Sequence, residues 1–327
     1  MSGWPITFEE VLAARERLRP HLRPTALRGY APLDAAVGHG IRVLVKHENH
    51  NPTNAFKARN GLSVMTALKD EERRRGVVAA TRGNHGLGVA WAGRLVGVPV
   101  TVCVPLGNNP EKNEAVRGYG ATLIEEGKDY DEAVAVADRL VRERGLRMVH
   151  STNDPLVIAG AATLTLEMIE EEPGIDALVL PVGGGSQSVG ALTVVRAKRP
   201  NVKVYGVQAE RASAIHDSWH AGRMMTKSSA DTFADGLATR SAYALTFDAL
   251  REGLAGFVAV REGEIASALR LLLRTTHNLA EGAGAAGLAG LFRLREALAG
   301  KTVAIVISGS NIDEPTLRRV LSGEIRD

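Results

Sequence analysis

Short β-branched apolar runs alternate with helix-period segments along almost the whole chain, and this alternation constrains the fold more than any other feature. The runs are VVAAT (77–81), VTVCVP (100–105), ATLIE (121–125), RMVHS (147–151), ALVLPV (177–182), VKVYGV (202–207) and TVAIVIS (302–308). Between them lie helical patterns such as HGLGVAWAGRLVG (85–97), DEAVAVADRLVRERG (131–145) and VGALTVVRAKR (189–199). Strands that alternate with helices predict an α/β fold of parallel sheets flanked by helices. Continuously apolar strands, with no in–out alternation, predict sheets buried on both faces. Residues 76–150 hold four such strands and their helices, and a longer series follows Ser151, so two lobes are expected. No low-complexity linker divides them, which predicts close packing of one lobe on the other.

Composition narrows the function classes. The 40 basic residues are interspersed with 37 acidic ones, and the densest basic run, Arg73-Arg74-Arg75, ends a helical pattern before Gly76. Cations suit that end of a helix dipole, so the run reads as a solvated helix terminus. Aromatics at 4% give no base-stacking platform. No nucleic-acid partner is expected. The single cysteine, Cys103, sits inside an apolar strand-like run and rules out an intrachain disulfide. No apolar run approaches the roughly 18 residues of a membrane span, and no leader pattern opens the chain. A cytoplasmic address and no membrane partner are the expectations. Glycine is the outlier: 35 residues, against an average of roughly 7%. Their clustering beside apolar runs implies tight backbone approach.

In α/β sheets, ligands bind beyond the carboxyl ends of the strands. Three loops at such ends carry unusual chemistry: Thr81-Arg82-Gly83-Asn84-His85-Gly86, Gly183-Gly184-Gly185-Ser186-Gln187 and Ser308-Gly309-Ser310-Asn311. Consecutive glycines at a helix start let backbone N–H groups converge, which makes an anion cradle, although a plain tight turn has the same composition. Asn84 can serve as a helix N-cap or as a ligand. His85 alone reads as a structural histidine. A fourth stretch, HNPTNAFKAR (50–59), sets Lys57 in the first turn of a helix, where the dipole disfavours an ammonium. Gly183 and Gly185, with Glu210 after the next strand, also form a weak dinucleotide fingerprint, which makes an NAD(P)-dependent oxidoreductase the alternative of a different class.

Taken in order, ENHNPTNAFKARN (48–60), ATRGNHG (80–86), PVGGGS (181–186), TFADG (232–236), THNLAEGAGA (276–285) and ISGSN (307–311) resemble the pyridoxal-phosphate enzymes of fold type II. The threonine/serine dehydratase-like branch is the most similar, with serine racemase a relative. The resemblance implies a pyridoxal 5'-phosphate cofactor and α,β-elimination, converting a β-hydroxy α-amino acid to a 2-oxo acid and ammonia. It implies a large cofactor-binding domain from residues 1–75 plus 151–327 and a small substrate-clamping domain from 76–150. A homodimer is also implied.

Residue by residue, the resemblance makes Lys57 the Schiff-base lysine and the base that removes the α-proton. It sets Phe56 beside the cofactor ring. Gly183, Gly184, Gly185, Ser186 and the Gln187 N–H would hold the phosphate. Asn84 would donate to the ring's phenolic oxygen, Ser308 would bond the pyridine nitrogen, and Glu281 would lie near the ring. Thr81, Arg82, Gly83, Asn84 and His85 would clamp the substrate carboxylate.

This sequence departs from the pattern at four places. Ala55 replaces a serine, and Ser186 a fourth glycine. Arg82 stands where serine racemase carries its second base, which argues against racemisation. It also raises a 3-hydroxyaspartate-type substrate, unless Arg82 is simply paired with a protein carboxylate. Gln208 and Ala214 stand where relatives hold a cation with acids, so no metal is expected. β-Replacement or racemase chemistry on the same scaffold is the remaining alternative. No regulatory domain is expected.

Overall fold

The computed structural model describes residues 4–327. Its strands are β1 (Leu27–Gly29), β2 (Arg42–His47), β3 (Val77–Ala80), β4 (Val100–Val104), β5 (Thr122–Glu125), β6 (Arg147–Met148), β7 (Ala177–Pro181), β8 (Lys203–Ala209), β9 (Gly256–Val260) and β10 (Thr302–Ile307). They make a six-stranded sheet, in the order β1-β2-β10-β7-β8-β9, and a four-stranded sheet, in the order β5-β4-β3-β6. Every pairing is parallel except that of β1 with β2. The α/β class expected from the alternation is the observed one. β3 and β7 are buried along their whole length, as helix-covered parallel strands must be. β5, at a sheet edge, is half-exposed and ends on Glu125. Two strands were not legible: β1 has only three residues, and β9 opens on a glycine.

Strand order places the site. β10, the last strand, inserts between β2 and β7, with Ile307 level with His47. The loops that leave β2, β7 and β10 therefore emerge side by side, and they carry Lys57, Gly183–Gly185 and Ser308. In the small sheet β3 lies between β4 and β6, so the loops at Thr81 and Ser151 also emerge together.

Glycine joins the helices between the sheets. A side-chain carbon on Gly61, in the helix Lys57–Met65, would overlap the carbonyl of Gly88 in the helix Asn84–Val96. One on Gly160, in the helix Pro155–Glu171, would lie 2.6 Å from the Arg59 carbonyl oxygen. One on Gly190, in the helix Ser186–Lys198, would lie 2.8 Å from the Ala162 backbone. Much of the glycine excess thus serves helices pressed backbone to backbone, not only the loops.

The face of the Lys57 helix turned away from the cleft holds a buried ionic cluster. Arg59 donates to Glu48 (2.7 and 2.9 Å) and to Glu167 (2.6 and 2.8 Å), and Lys46 donates to Glu167 (2.6 Å). Burial alone would raise the Glu48 carboxyl, but the Arg59 guanidinium holds it below the ordinary value. A fully desolvated arginine bonded on both sides fixes the orientation of this helix.

Candidate active site

Lys57 is the first residue of its helix, and Phe56 precedes it without a side-chain cap. Asn54 adopts a left-handed conformation (φ 53°), which asparagine tolerates. The turn it makes docks onto the β10 loop: Phe56 N–H donates to Ser308 O (2.9 Å) and Ser310 N–H to Asn54 O (2.9 Å). Lys57 Nζ lies 4.8 Å from the Phe56 ring centroid and donates to Ser151 O (3.2 Å). No carboxylate pairs with it among the described residues, and burial pushes its pKa down to about 8. The nitrogen is therefore far closer to its neutral, nucleophilic form than a surface lysine.

Gly183–Gly185 turns from β7 into the helix Ser186–Lys198, with Gly185 left-handed (φ 100°). The turn is tightly enclosed. A side chain on Gly183 would overlap Gly236 O, and one on Gly184 would overlap Thr152 Oγ1. Gln187 Nε2 is a buried donor without a partner. The bend, Lys57 and Ser308 line one cleft between the two sheets.

Asn84, Glu281 and Asn311 form a chain across that cleft. Asn84 Nδ2 donates to Glu281 Oε1 (2.6 Å), while Asn311 Nδ2 donates to Asn84 Oδ1 (2.7 Å) and to Thr53 O (2.9 Å). Asn84 is the first residue of its helix and Gly83 is the N-cap, and Asn84 lines the cleft. Burial raises Glu281 to about 7, an effect that Lys112 opposes and Asp235 reinforces. His85 is buried with Nε2 2.8 Å from Val149 O, which assigns the ring proton to Nε2. Desolvation, and the charge of Lys57, depress it to about 3, so it is a neutral, structural histidine. In the preceding loop Gly83 N–H donates to Thr81 Oγ1 (2.9 Å). Arg82 is exposed at the cleft edge and pairs with no carboxylate among the described residues.

Every sequence-predicted site residue lines this one cleft: Phe56, Lys57, the Thr81–His85 loop, Gly183–Gln187, Glu281 and Ser308. Glu210, the acid of the dinucleotide alternative, is exposed and lies outside it. Sequence reasoning missed Tyr130, Ser151, Thr152, Lys112 and Asp235, which also line it. For Asp235 the TFADG run was the available signal; Lys112 and Tyr130, near helix starts, and Ser151 and Thr152, in a loop, sit in stretches with no distinctive pattern.

The family described as "Pyridoxal-phosphate dependent enzyme" matches residues 18–309. The chain belongs to this family. Its cofactor is pyridoxal 5'-phosphate, and this removes the oxidoreductase alternative. Among curated relatives of this pyridoxal-phosphate-dependent enzyme is the L-threonine ammonia-lyase of Thermotoga maritima, 39% identical over 317 residues, covering 97% of this chain and 78% of the relative. Among solved structures, the T.th. threonine deaminase is 35% identical with a TM-score of 0.88, covering 94% of this chain and 99% of that one. Maize serine racemase is 27% identical with a TM-score of 0.92, covering 98% of each. These agree with the dehydratase-like resemblance and its fold.

The residues present fit the cofactor. An aldehyde needs an amine with a substantial neutral fraction, and burial of Lys57 favours that form. A phosphate needs converging N–H donors, and the bend before Ser186 has them together with the unpartnered Gln187 amide. Ser308 Oγ makes no hydrogen bond among the described residues and opens on the cleft, where a ring nitrogen can meet it.

Proposed function

We propose that this enzyme is a dehydratase/ammonia-lyase that converts a β-hydroxy α-amino acid, threonine- or serine-like, to a 2-oxo acid and ammonia by α,β-elimination. The observation that carries the reading is the desolvated amine of Lys57, paired with no carboxylate among the described residues and facing the same cleft as the triglycine bend. Similarity to the threonine ammonia-lyase and the threonine deaminase supports the reaction class. When bound, the cofactor supplies an electron sink for the α-carbon.

The protein's part is placement and proton control. Gly183, Gly184, Gly185, Ser186 and Gln187 hold the phosphate with N–H groups and the helix dipole. Asn84 keeps one N–H for the phenolic oxygen while Glu281 fixes its amide. Ser308 presents a hydroxyl to the pyridine nitrogen. A hydroxyl cannot stabilise a pyridinium as a carboxylate does, and this favours prompt loss of the β-substituent. Lys57 Nζ takes the α-proton and retains it within the cleft. The Thr81–His85 loop, at a helix start, receives the α-carboxylate. In this reading the unit of residues 76–150 clamps the substrate and the rest of the chain binds the cofactor. The absence of acids at Gln208 and Ala214 supports catalysis without a divalent metal. A cytoplasmic homodimer completes the reading.

Borohydride reduction of the holoenzyme followed by peptide mass spectrometry is expected to find the pyridoxyl adduct on the peptide containing Lys57. L-threonine and L-serine should release 2-oxo acid and ammonia. An adduct on another peptide, or racemised amino acid without 2-oxo acid, would overturn the assignment.

Arg82, which pairs with no carboxylate among the described residues, favours a second reading of the substrate, a β-hydroxy amino acid with an acidic side chain such as 3-hydroxyaspartate. Arg82→Ala should then lower kcat/KM for 3-hydroxyaspartate by roughly 10- to 100-fold, as for a lost charge-assisted contact, and leave threonine little changed. Equal losses on both substrates would assign Arg82 to the α-carboxylate.

A further inference from the structure

Lys112 joins the two sides of the cleft. It lies in the helix Pro110–Gly118 of the small lobe, whose start is capped by Asn109. Its methylene stem packs on Gly83 of the loop that faces the substrate, where an added side-chain carbon would lie 3.2 Å from Lys112 Cδ. Its ammonium crosses to the other lobe and bonds Asp235 Oδ2 at 2.5 Å. The lysine side chain is only 15% exposed. Burial lowers its pKa, but Asp235, with smaller contributions from Glu281 and Asp313, leaves it raised. The ammonium is thus largely withdrawn from water, while its partner Asp235 stays 52% exposed.

Asp235 opens a 3-10 turn, Asp235–Leu237, whose Gly236 carbonyl presses on Gly183. The ion pair thus connects the substrate-side loop at Gly83 to the phosphate bend at Gly183. Asn109 Nδ2, from the same helix start, adds a second crossing bond to Asp313 Oδ2 (3.1 Å). Both members of the pair also line the adjoining cavity, so the pair stands in the wall between that cavity and the cleft.

We propose that Lys112 is a positioning residue for amino-acid binding, and that its bond to Asp235 is the clasp that sets the Thr81–His85 loop against the cofactor side of the cleft. This rests on the reading of the cleft as an amino-acid site but not on elimination. The clasp acts only when both charges are present, so its loss is expected to be non-additive.

The test uses holoenzyme titrated with L-alanine, which has no β-substituent to lose, and reads Kd from the cofactor's visible absorbance. Lys112→Met and the isosteric Asp235→Asn should each weaken L-alanine binding roughly 5- to 10-fold, within the range of coupled pairs. The double variant should be no weaker than the poorer single one. The exchanged pair, Lys112→Asp with Asp235→Lys, should recover part of the affinity. The exposed lobe-crossing pair Arg240–Asp131 is the control, and Arg240→Gln should change Kd less than twofold. Unchanged L-alanine affinity in both single variants, or losses that multiply in the double variant, would overturn the clasp. No absorbance response in the unmutated enzyme would instead overturn the amino-acid-site reading itself, and failure to release 2-oxo acid from threonine, serine and 3-hydroxyaspartate alike would overturn only the elimination.

Discussion

The carbonyl oxygen of Lys57 lies against the α-carbon of Gly88, so close that a side-chain carbon there would overlap it. One helix carries the reactive amine and the other begins at Asn84, so this contact sets the distance between two sides of the site. Gly88→Ala must push the helices apart, and an overpacked core contact costs about 1–3 kcal/mol. The variant should unfold at lower urea and bind cofactor more weakly. Gly118→Ala, where nothing lies within 4 Å, should be neutral or slightly stabilising. Equal behaviour of the two variants would contradict the argument.

How far the sequence revealed this arrangement depends on whether a feature is local. The strand runs, the triglycine bend and a lysine opening a helix are visible in a few consecutive residues, and each is where the pattern predicts. Gly88 reads as one more glycine, because its reason lies in a carbonyl of residue 57. Asn84 reads as cap or ligand, since both use the same amide, and only the folded chain, with Gly83 as the cap and the amide bonded to Glu281 and Asn311 far along the sequence, excludes the cap. Lys112 and Asp235 meet across 123 positions; nothing near either one announces the partner. β9 was missed because its edge position and leading glycine weaken the apolar signal.

Desolvation of Lys57 has a direct chemical readout in cofactor-free protein. With a pKa of about 8, half of the amine is neutral at that pH. An ordinary lysine near 10.4 would be neutral to well under 1%. A small amine-directed acylating reagent at pH 8 should label Lys57 about a hundredfold faster than exposed lysines, as followed by peptide mass spectrometry. A labelling midpoint above pH 10 would remove the claim.

Glu281 predicts a pH-dependent stability of defined sign. Its folded value of about 7 lies above the ordinary 4.5. Between those values the folded chain binds more protons than the unfolded one, so this group's contribution falls as pH rises. Glu281→Gln cannot ionise yet keeps an acceptor for Asn84. Relative to that variant, the unmutated protein should lose about 3 kcal/mol between pH 4.5 and 7, with little further change above. Urea unfolding of both cofactor-free proteins at pH 5 and pH 8 measures it, and a constant difference would contradict it.

Gln208 explains how the loop after β8 is held. Its side-chain oxygen accepts from Ile215 N–H (3.1 Å) and His216 N–H (2.9 Å), in the first turn of the helix Ala214–Ala221. A buried neutral amide therefore satisfies two orphan helix donors, at the position where the resemblance places a cation-binding acid. An uncharged oxygen beside Ala214 offers a divalent ion little, so chelators should leave both activity and thermal midpoint unchanged. Gln208→Leu removes the acceptor from two buried N–H groups and should cost about 2–3 kcal/mol. Gln208→Glu restores an acceptor that suits the helix dipole and should recover most of that loss at neutral pH. A midpoint that falls on chelation, or an unaffected Gln208→Leu variant, would show that something other than this amide holds the loop.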